Sequence, residues 1–396
     1  MPSEPIDTRT PAHATLNGRR LTVFGGCDYL GLSRAPAVID AVRAGLDRYG
    51  LSVTASRETS GNTAAHTELE ALAAGFFEPV LAGASALLCP DGYTANLIAL
   101  QTLAAMGVRE AVIADRAHQS LHDATRFVGL EIKTYARDRA GEAAAAARGC
   151  ARPVVLTDGV FASDGAVAPV TALLDALPSQ ALLLIDDCHG VACLGDRGRG
   201  TLEALGVRER AGERVVLTTT LAKGVGAMGG LMVGSVAMIE RARTSASVYI
   251  GTTPTPPAVA MAASAALREI DRDPSRLRRL RDNTERLHKT LATVFGSHAA
   301  TTAAADGVSN RTPIATWSHE DPAVMDRVDG VLRDRGLLVP LIEYPGGPAP
   351  RYFRCSVNAD HTADDLSRLG EALAAADAPH ADATLSTEGA AGETAR

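Results

Sequence analysis

This 396-residue chain predicts an α/β fold, with a mainly parallel central sheet flanked by helices and a smaller α+β C-terminal domain. Three observations carry that prediction. Short aliphatic runs alternate with helix-like stretches between about Ala84 and Leu221, the pattern of βαβ units. Chemically able side chains follow each run, as expected where ligands bind beyond the carboxyl ends of parallel strands. From about Pro274 the character changes to Arg-rich helical sequence with charges spaced for a solvated face.

The runs, in order, are Ala86–Cys89, Ala111–Ala114, Val154–Thr157, Leu182–Ile185 and Val215–Thr218. Each is short and largely aliphatic, as strands buried on both faces are. Gly92 and Tyr93 follow the first, His118 the second, Asp158 and Gly159 the third, Asp186 and His189 the fourth, and Thr220 with Lys223 the fifth. One pocket is therefore expected along one edge of the sheet. Pro90 to Asn96 reads as a turn entering a helix, whose free N–H groups form an anion site; a plain helix start is the competing reading. Downstream, Leu277–Leu291 reads as a helix, Tyr352–Val357 as a strand and Ala363–Ala375 as a closing amphipathic helix. After Asp377 the residues cannot bury enough apolar surface to order themselves, so a flexible tail is expected. The resulting division is an N-terminal segment 1–45, a large domain 46–270, a small C-terminal domain 271–377 and a tail 378–396.

Composition narrows the function. Hydrophobic residues make up 46% and charged residues 21%, a globular profile. The balance of 39 basic against 46 acidic side chains, net −7, implies no broad basic face and no nucleic-acid partner. The longest aliphatic run near the middle, Ala181–Ile185, is far short of the roughly 18 residues of a membrane span. Met1 to Arg20 lacks the apolar stretch of a secretory signal, and six dispersed cysteines fit reduced thiols, so a cytoplasmic protein is expected.

The strongest local signal is Thr218 to Gly230, a strand end, then Lys223, then a glycine-rich loop. A lysine in a partly desolvated pocket forms Schiff bases, which is how proteins anchor pyridoxal phosphate (PLP); a lone lysine is more often a surface residue. Gly224, Gly226 and Gly229 spell G-x-G-x-x-G, but no acidic residue stands about 20 positions on, so the dinucleotide reading is set aside. The glycines are expected to let the backbone pass close to a lysine-bound ligand. Asp186-Asp187-Cys188-His189 places two carboxylates and a histidine directly after a buried strand. A buried carboxylate needs a cation, and the pyridine nitrogen of PLP supplies one. A metal site on Asp186, Asp187 and His189, or plain helix capping, would also use these residues; no second ligand cluster supports a metal. His118 could stack on an aromatic cofactor, and His66 with Glu70 has the spacing of a helix-supporting pair.

Six segments occur in an order that resembles the α-oxoamine synthase family. They are Asp28-Tyr29-Leu30-Gly31-Leu32-Ser33; Ala55-Ser56-Arg57 with Ser60-Gly61 and His66 to Glu70; Thr157-Asp158-Gly159-Val160-Phe161 with Asp164-Gly165; Asp186 to Gly190; Thr220-Leu221-Ala222-Lys223; and Pro256-Pro257. The similarity runs from about Leu21 to Leu373. It implies a fold-type I PLP-dependent transferase, a homodimer with active sites at the subunit interface. It further implies that Lys223 would hold the cofactor aldehyde as an imine, Asp186 would pair with the pyridinium nitrogen, His189 would hydrogen-bond the ring 3-oxygen and His118 would stack on the ring. Main-chain groups of Gly92 and Tyr93, with Thr220, would hold the phosphate; Thr253 would reach the other subunit's phosphate; and Arg354 would grip the amino-acid carboxylate. The implied reaction is a decarboxylative condensation of an amino acid with an acyl thioester on coenzyme A or a carrier.

Three departures from the family pattern fall on the substrate side. Asp28 stands where the family has asparagine, Ala162 where it has serine, with Ser163 displaced by one, and Ile342 to Gly347 replace a proline-rich segment. They imply an atypical amine or acyl partner. A PLP-dependent aminotransferase is the runner-up reading, since fold and cofactor do not decide chemistry. A catalytically silent partner subunit is disfavoured by the joint presence of Lys223, Asp186, His189 and His118.

Overall fold

A computed structural model describes residues 5–295, 299–300, 312–344 and 346–377. The expected tail 378–396 lies outside the described residues. At the centre is a seven-stranded sheet: β1 (Ala84–Cys89), β2 (Glu110–Ala114), β3 (Glu131–Tyr135), β4 (Val154–Asp158), β5 (Leu182–Asp186), β6 (Val215–Thr220) and β7 (Gly230–Ser235). Their spatial order is β1-β7-β6-β5-β4-β2-β3. The five aliphatic runs became five of these strands, extended by one or two residues. β4, β5 and β6 are buried at every position, which explains their unbroken apolar sequence.

Two strands carried no such signal. β3 is an edge strand, exposed or half-exposed along most of Glu131-Ile132-Lys133-Thr134, so its residues alternate with water rather than core. β7 begins inside the glycine-rich stretch and runs antiparallel to both β1 and β6. Because it reverses between them, β1 still points the same way as the parallel strands, and all the residues that follow those strands emerge on one edge.

Helices cover the sheet. α1 (Pro36–Tyr49) packs so closely on the helix Pro257–Arg272 that a Cβ at Gly45 would stand 2.4 Å from Ala258 Cα. α2 (Ala64–Phe77) starts with a capping box in which Thr63 and His66 exchange hydrogen bonds. His66 does not pair with Glu70: its Nε2 lies 2.8 Å from the Thr255 carbonyl, while Glu70 is held by Arg57 and Arg243. α3 (Gly92–Ala105) and α4 (Gln119–Val128) leave the ends of β1 and β2.

The apolar interior forms two clusters. The larger surrounds the central sheet. The smaller gathers Phe24, Leu287, Trp317, Phe353 and Leu369, with Trp317 stacked between Phe295 at 4.2 Å and Phe353 at 5.3 Å. It lies on a second sheet in which Tyr352–Ser356 pairs antiparallel with Ile314–Trp317. Within the N-terminal segment, Thr8–Val23 is a small antiparallel sheet whose last strand, Arg19–Val23, pairs in parallel with Leu337–Leu338. The N-terminal segment is thus bound into the C-terminal unit through Phe24. No helix among the described residues is long and apolar enough to cross a membrane.

Candidate active site

The carboxyl ends of β1, β2, β4, β5 and β6 open onto a cavity of about 240 Å³. Its wall carries Gly92, His118, Asp158, Asp186, His189 and Lys223, residues far apart in sequence that the parallel sheet brings together. Tyr93 and Thr220 also line it.

At the β1 end, Asp91 caps α3 by accepting the Thr94 N–H at 2.8 Å. The first helical residue, Gly92, lies against β6: a Cβ there would come within 2.9 Å of Thr220 Cβ and 3.0 Å of Cys188 Sγ. This glycine lets a helix N-terminus, with its positive end and free N–H groups, reach the cavity floor.

Asp158 and Asp186 are opposite one another in register on β4 and β5 and are 3% and 4% exposed. Both oxygens of Asp158 accept the His118 N–H, at 3.1 Å each. Asp186 accepts Asn96 Nδ2 at 2.7 Å and the Cys188 N–H at 3.0 Å. Burial, and then the charge of Asp186, push the Asp158 carboxyl well above the usual carboxylate range. Two buried acids side by side, with no basic side chain bonded to either among the described residues, form a site that calls for a cation or a proton.

Asn96 organises this floor. It donates to Asp186 and, at 2.8 Å, to Ser120 Oγ, and accepts from Thr218 Oγ1 at 2.5 Å. Ser120 Oγ in turn meets His118 Nδ1 at 2.7 Å, which fixes the imidazole over the cavity. Burial lowers the pKa of His118, so the ring is held neutral and flat.

On the opposite wall Lys223 Nζ lies 2.8 Å from His189 Nε2, and His189 Nδ1 lies 2.8 Å from the hydroxyl of Tyr29. Burial, and then Lys223, hold His189 well below the ordinary histidine pKa. The glycines after Lys223 allow close chain packing: a Cβ at Gly226, where φ is +70°, would come within 2.5 Å of Ser33 N, and one at Gly230 within 2.1 Å of the Asp91 carbonyl oxygen.

Residues 20–373 match the family described as aminotransferase class I and II. The 8-amino-7-oxononanoate synthase of Cupriavidus taiwanensis is 36% identical over 362 residues, covering 90% of this chain and 87% of that one. That of Methylococcus capsulatus is 37% identical over 376 residues, 93% and 92% of the two chains. Among solved structures, a serine palmitoyltransferase holding PLP superposes with a TM-score of 0.84 at 25% identity, covering 94% of this chain and 92% of that one. The chain belongs to the class I and II aminotransferase family. Within it the chain is an α-oxoamine synthase-type, PLP-dependent C-acyltransferase.

The cavity of this α-oxoamine synthase fits that cofactor on its own terms. An amine, a buried carboxylate pair in want of a cation, a neutral imidazole for a ring face and a helix N-terminus for a phosphate all border one space. The metal alternative loses Asp187, whose oxygens accept Thr201 N at 2.7 Å and Thr201 Oγ1 at 2.6 Å; burial pushes its carboxyl up to about 6.

The substrate-side expectations fare less evenly. Arg354 donates through Nε to the Ala162 carbonyl at 2.6 Å, and Ala162 lines the cavity. Ser163 is buried away from the cavity wall, its hydroxyl without a partner among the described residues. Asp28 is not on the cavity wall. Its carboxylate accepts Leu32 N at 3.0 Å and Ser33 Oγ at 2.6 Å, closing a local turn, and burial raises its pKa. Thr253 is exposed and likewise off the cavity wall of its own chain. Sequence reasoning placed Asp158 at the expected pocket without a specific role, and it gave none to Asn96, Ser120 or Tyr29. Asn96 was findable, since it lies one turn from Gly92 and so on the same helix face.

Proposed function

We propose that this α-oxoamine synthase condenses an amino acid with an acyl thioester, with loss of carbon dioxide and release of the thiol. PLP, when bound, withdraws electrons from the amino acid's α-carbon so that a bond there can break. Lys223 Nζ would hold the cofactor's aldehyde and, as a free amine beside the substrate, would move the proton at the α-carbon. Asp186, kept in place by Asn96 and Cys188 N–H, holds the pyridine nitrogen protonated. His118, fixed by Ser120, would cover one ring face, and His189 would donate to the 3-oxygen. The N–H groups of Gly92 and Tyr93, with Thr220, bind the phosphate, and Arg354 presents its fork to the substrate carboxylate. Two chains pair as a homodimer in which Thr253 serves the partner's site, and the protein works in the cytoplasm.

The observation that carries this reading is the Lys223 amine facing the Asp158–Asp186 pair across a cavity built from five strand ends. The first product to assay is the relatives' own, 8-amino-7-oxononanoate; Ala162 and the segment 342–347 direct the search beyond it to atypical amines or acyl donors. Purified protein incubated with PLP should turn yellow, and an amino acid with its acyl thioester should yield free thiol and carbon dioxide. Lys223→Ala should lose both colour and turnover. If an amino acid alone converts bound PLP to pyridoxamine phosphate, the chain is an aminotransferase instead.

A further inference from the structure

Ala162 offers the cavity no polar side chain, yet its carbonyl oxygen accepts the Nε–H of Arg354 at 2.6 Å. That carbonyl belongs to a short hairpin, residues 159–168, that follows β4 and brings Val160 against Val167. Phe161 N–H donates to the Ala166 carbonyl and Gly165 N–H to the Phe161 carbonyl, each at 2.8 Å, so the turn is closed on itself. Two outside anchors hold it. From the central sheet, Arg137, just beyond β3, donates Nη1 to Asp164 Oδ1 at 3.0 Å and Nη2 to Asp164 Oδ2 at 2.5 Å. The same guanidinium lies 4.7 Å from the centre of the Phe161 ring, and Asp164 Oδ1 also accepts the Ala166 N–H at 3.1 Å. From the second sheet, Thr312 Oγ1 donates to the Gly165 carbonyl at 2.9 Å. A Cβ at Gly165, where φ is +77°, would come within 2.7 Å of the Ile314 carbonyl oxygen, so the hairpin is seated directly on the strand Ile314–Trp317. On that strand Thr316 is the register partner of Arg354.

We propose that Arg137 and Asp164 are positioning residues: their ion pair holds the 159–168 hairpin so that the Ala162 carbonyl aims Arg354 at the carboxylate of the amino-acid substrate. The substrate end of this inference rests on the role given to Arg354 above. A guanidinium carries one hydrogen on Nε and two on each terminal nitrogen. With Nε engaged by Ala162, a carboxylate is directed to the two terminal nitrogens, which grip it as a fork. Neither Arg137 nor Asp164 lines the cavity, so both act through Ala162. Asp164 is only 5% exposed, and its fork with Arg137 is what compensates a charge there. An ion pair that merely stabilised the hairpin would lower Tm without distinguishing amino acid from cofactor.

The test titrates the full-length, PLP-loaded protein with L-alanine and with L-serine as probes and follows the visible absorbance. Arg137→Met combined with Asp164→Asn removes the ion pair without leaving a buried charge unpaired. Amino-acid affinity should fall about three- to tenfold, the worth of one hydrogen bond, while PLP affinity stays at the wild-type value. In an Arg354→Lys background, where no Nε–H is left to hold, the two substitutions should weaken amino-acid binding no further. Unchanged amino-acid affinity, an equal loss of PLP affinity, or an undiminished effect in the Arg354→Lys background would overturn the proposal. The Arg354 Nε–H signal in nitrogen-15 spectra, recognised by its absence from Arg354→Lys, needs neither substrate nor cofactor. It should exchange slowly with solvent in the wild type and quickly once the ion pair is gone. Fast exchange in the wild type, or slow exchange in both proteins, refutes the clamp. If neither amino acid perturbs PLP in the wild type, it is the functional reading that suffers, and the Nε–H signal still decides whether Arg137 and Asp164 position Arg354.

Discussion

The side of the cavity made by strand ends and the structure beside it, made by the N-terminal segment with the second sheet, differ in what holds their side chains. On the first, Asp158 and Asp186 are the last residues of fully buried strands, and each is tied by backbone or Asn96 amides. On the second, Arg354 rests on a strand of the smaller cluster and reaches across to the Ala162 carbonyl, while Tyr29 and Asp28 sit on turns. On the first side the functional groups end paired strands of the central sheet, and on the second they come from turns and from the second sheet. Variants should divide along that line.

The largest effect should come from the strand-end side. Asp186→Ala removes a buried charge that its site is built around and leaves the Asn96 amide short of an acceptor. A loss of about 3–5 kcal/mol in PLP affinity is expected, read by cofactor titration. Near-normal PLP binding by this variant would move the cationic site elsewhere. Arg354→Lys should leave PLP affinity alone and raise KM for the amino acid about ten- to a hundredfold, the cost of charge-assisted hydrogen bonds lost from a planar fork. Were both parameters to move together, the two sides would be one mechanical unit.

The sequence made the first side legible and the second only in part, for a physical reason. A strand buried on both faces must be an unbroken apolar run, so its end, and the residue that follows, can be found by reading along the chain. β3 escaped because an edge strand shows half its residues to water, and β7 because it starts at Gly230 inside a loop-like stretch. Asn96, Ser120 and Tyr29 escaped because their bonds join different elements, and spacing along a chain reports only on neighbours within one element. Asp28 was expected at the substrate by analogy, whereas its oxygens close a turn onto Leu32 and Ser33.

Two smaller predictions sharpen the contrast. His361 ties the N-terminal segment to the C-terminal unit within the second side, accepting from Asn358 N at 3.0 Å, meeting the Val23 carbonyl at 3.1 Å and stacking on Phe24. Burial lowers its pKa from 6.5 to about 4. The unfolded chain therefore takes up a proton between those values that the folded chain refuses, so this contribution to stability is present above the unfolded pKa and is lost as pH falls through that window. Tm measured against pH should drop on acidification, and less steeply in His361→Gln. Smallest of all, Asp28→Asn keeps an acceptor for Leu32 N and should shift stability by no more than about 1 kcal/mol. If it lowered KM for the amino acid as much as Arg354→Lys raises it, Asp28 would belong to the substrate site after all.

The reversal of β7 has a bearing on how this protein could have diverged. Thr220 on one side and Gly230 on the other are cross-strand partners, and Gly230 is also paired with Cys89. The reactive amine therefore rides on a tether pinned at both ends. A slip of β7 by a single residue would break its register with two neighbours at once and turn its inward side chains outward. The loop's glycines are as constrained as its ends, since a side chain at Gly224 or Gly226 would strike Ala192 or Ser33, so variation around the cavity has more room at Ala162 than in the segment that carries the amine.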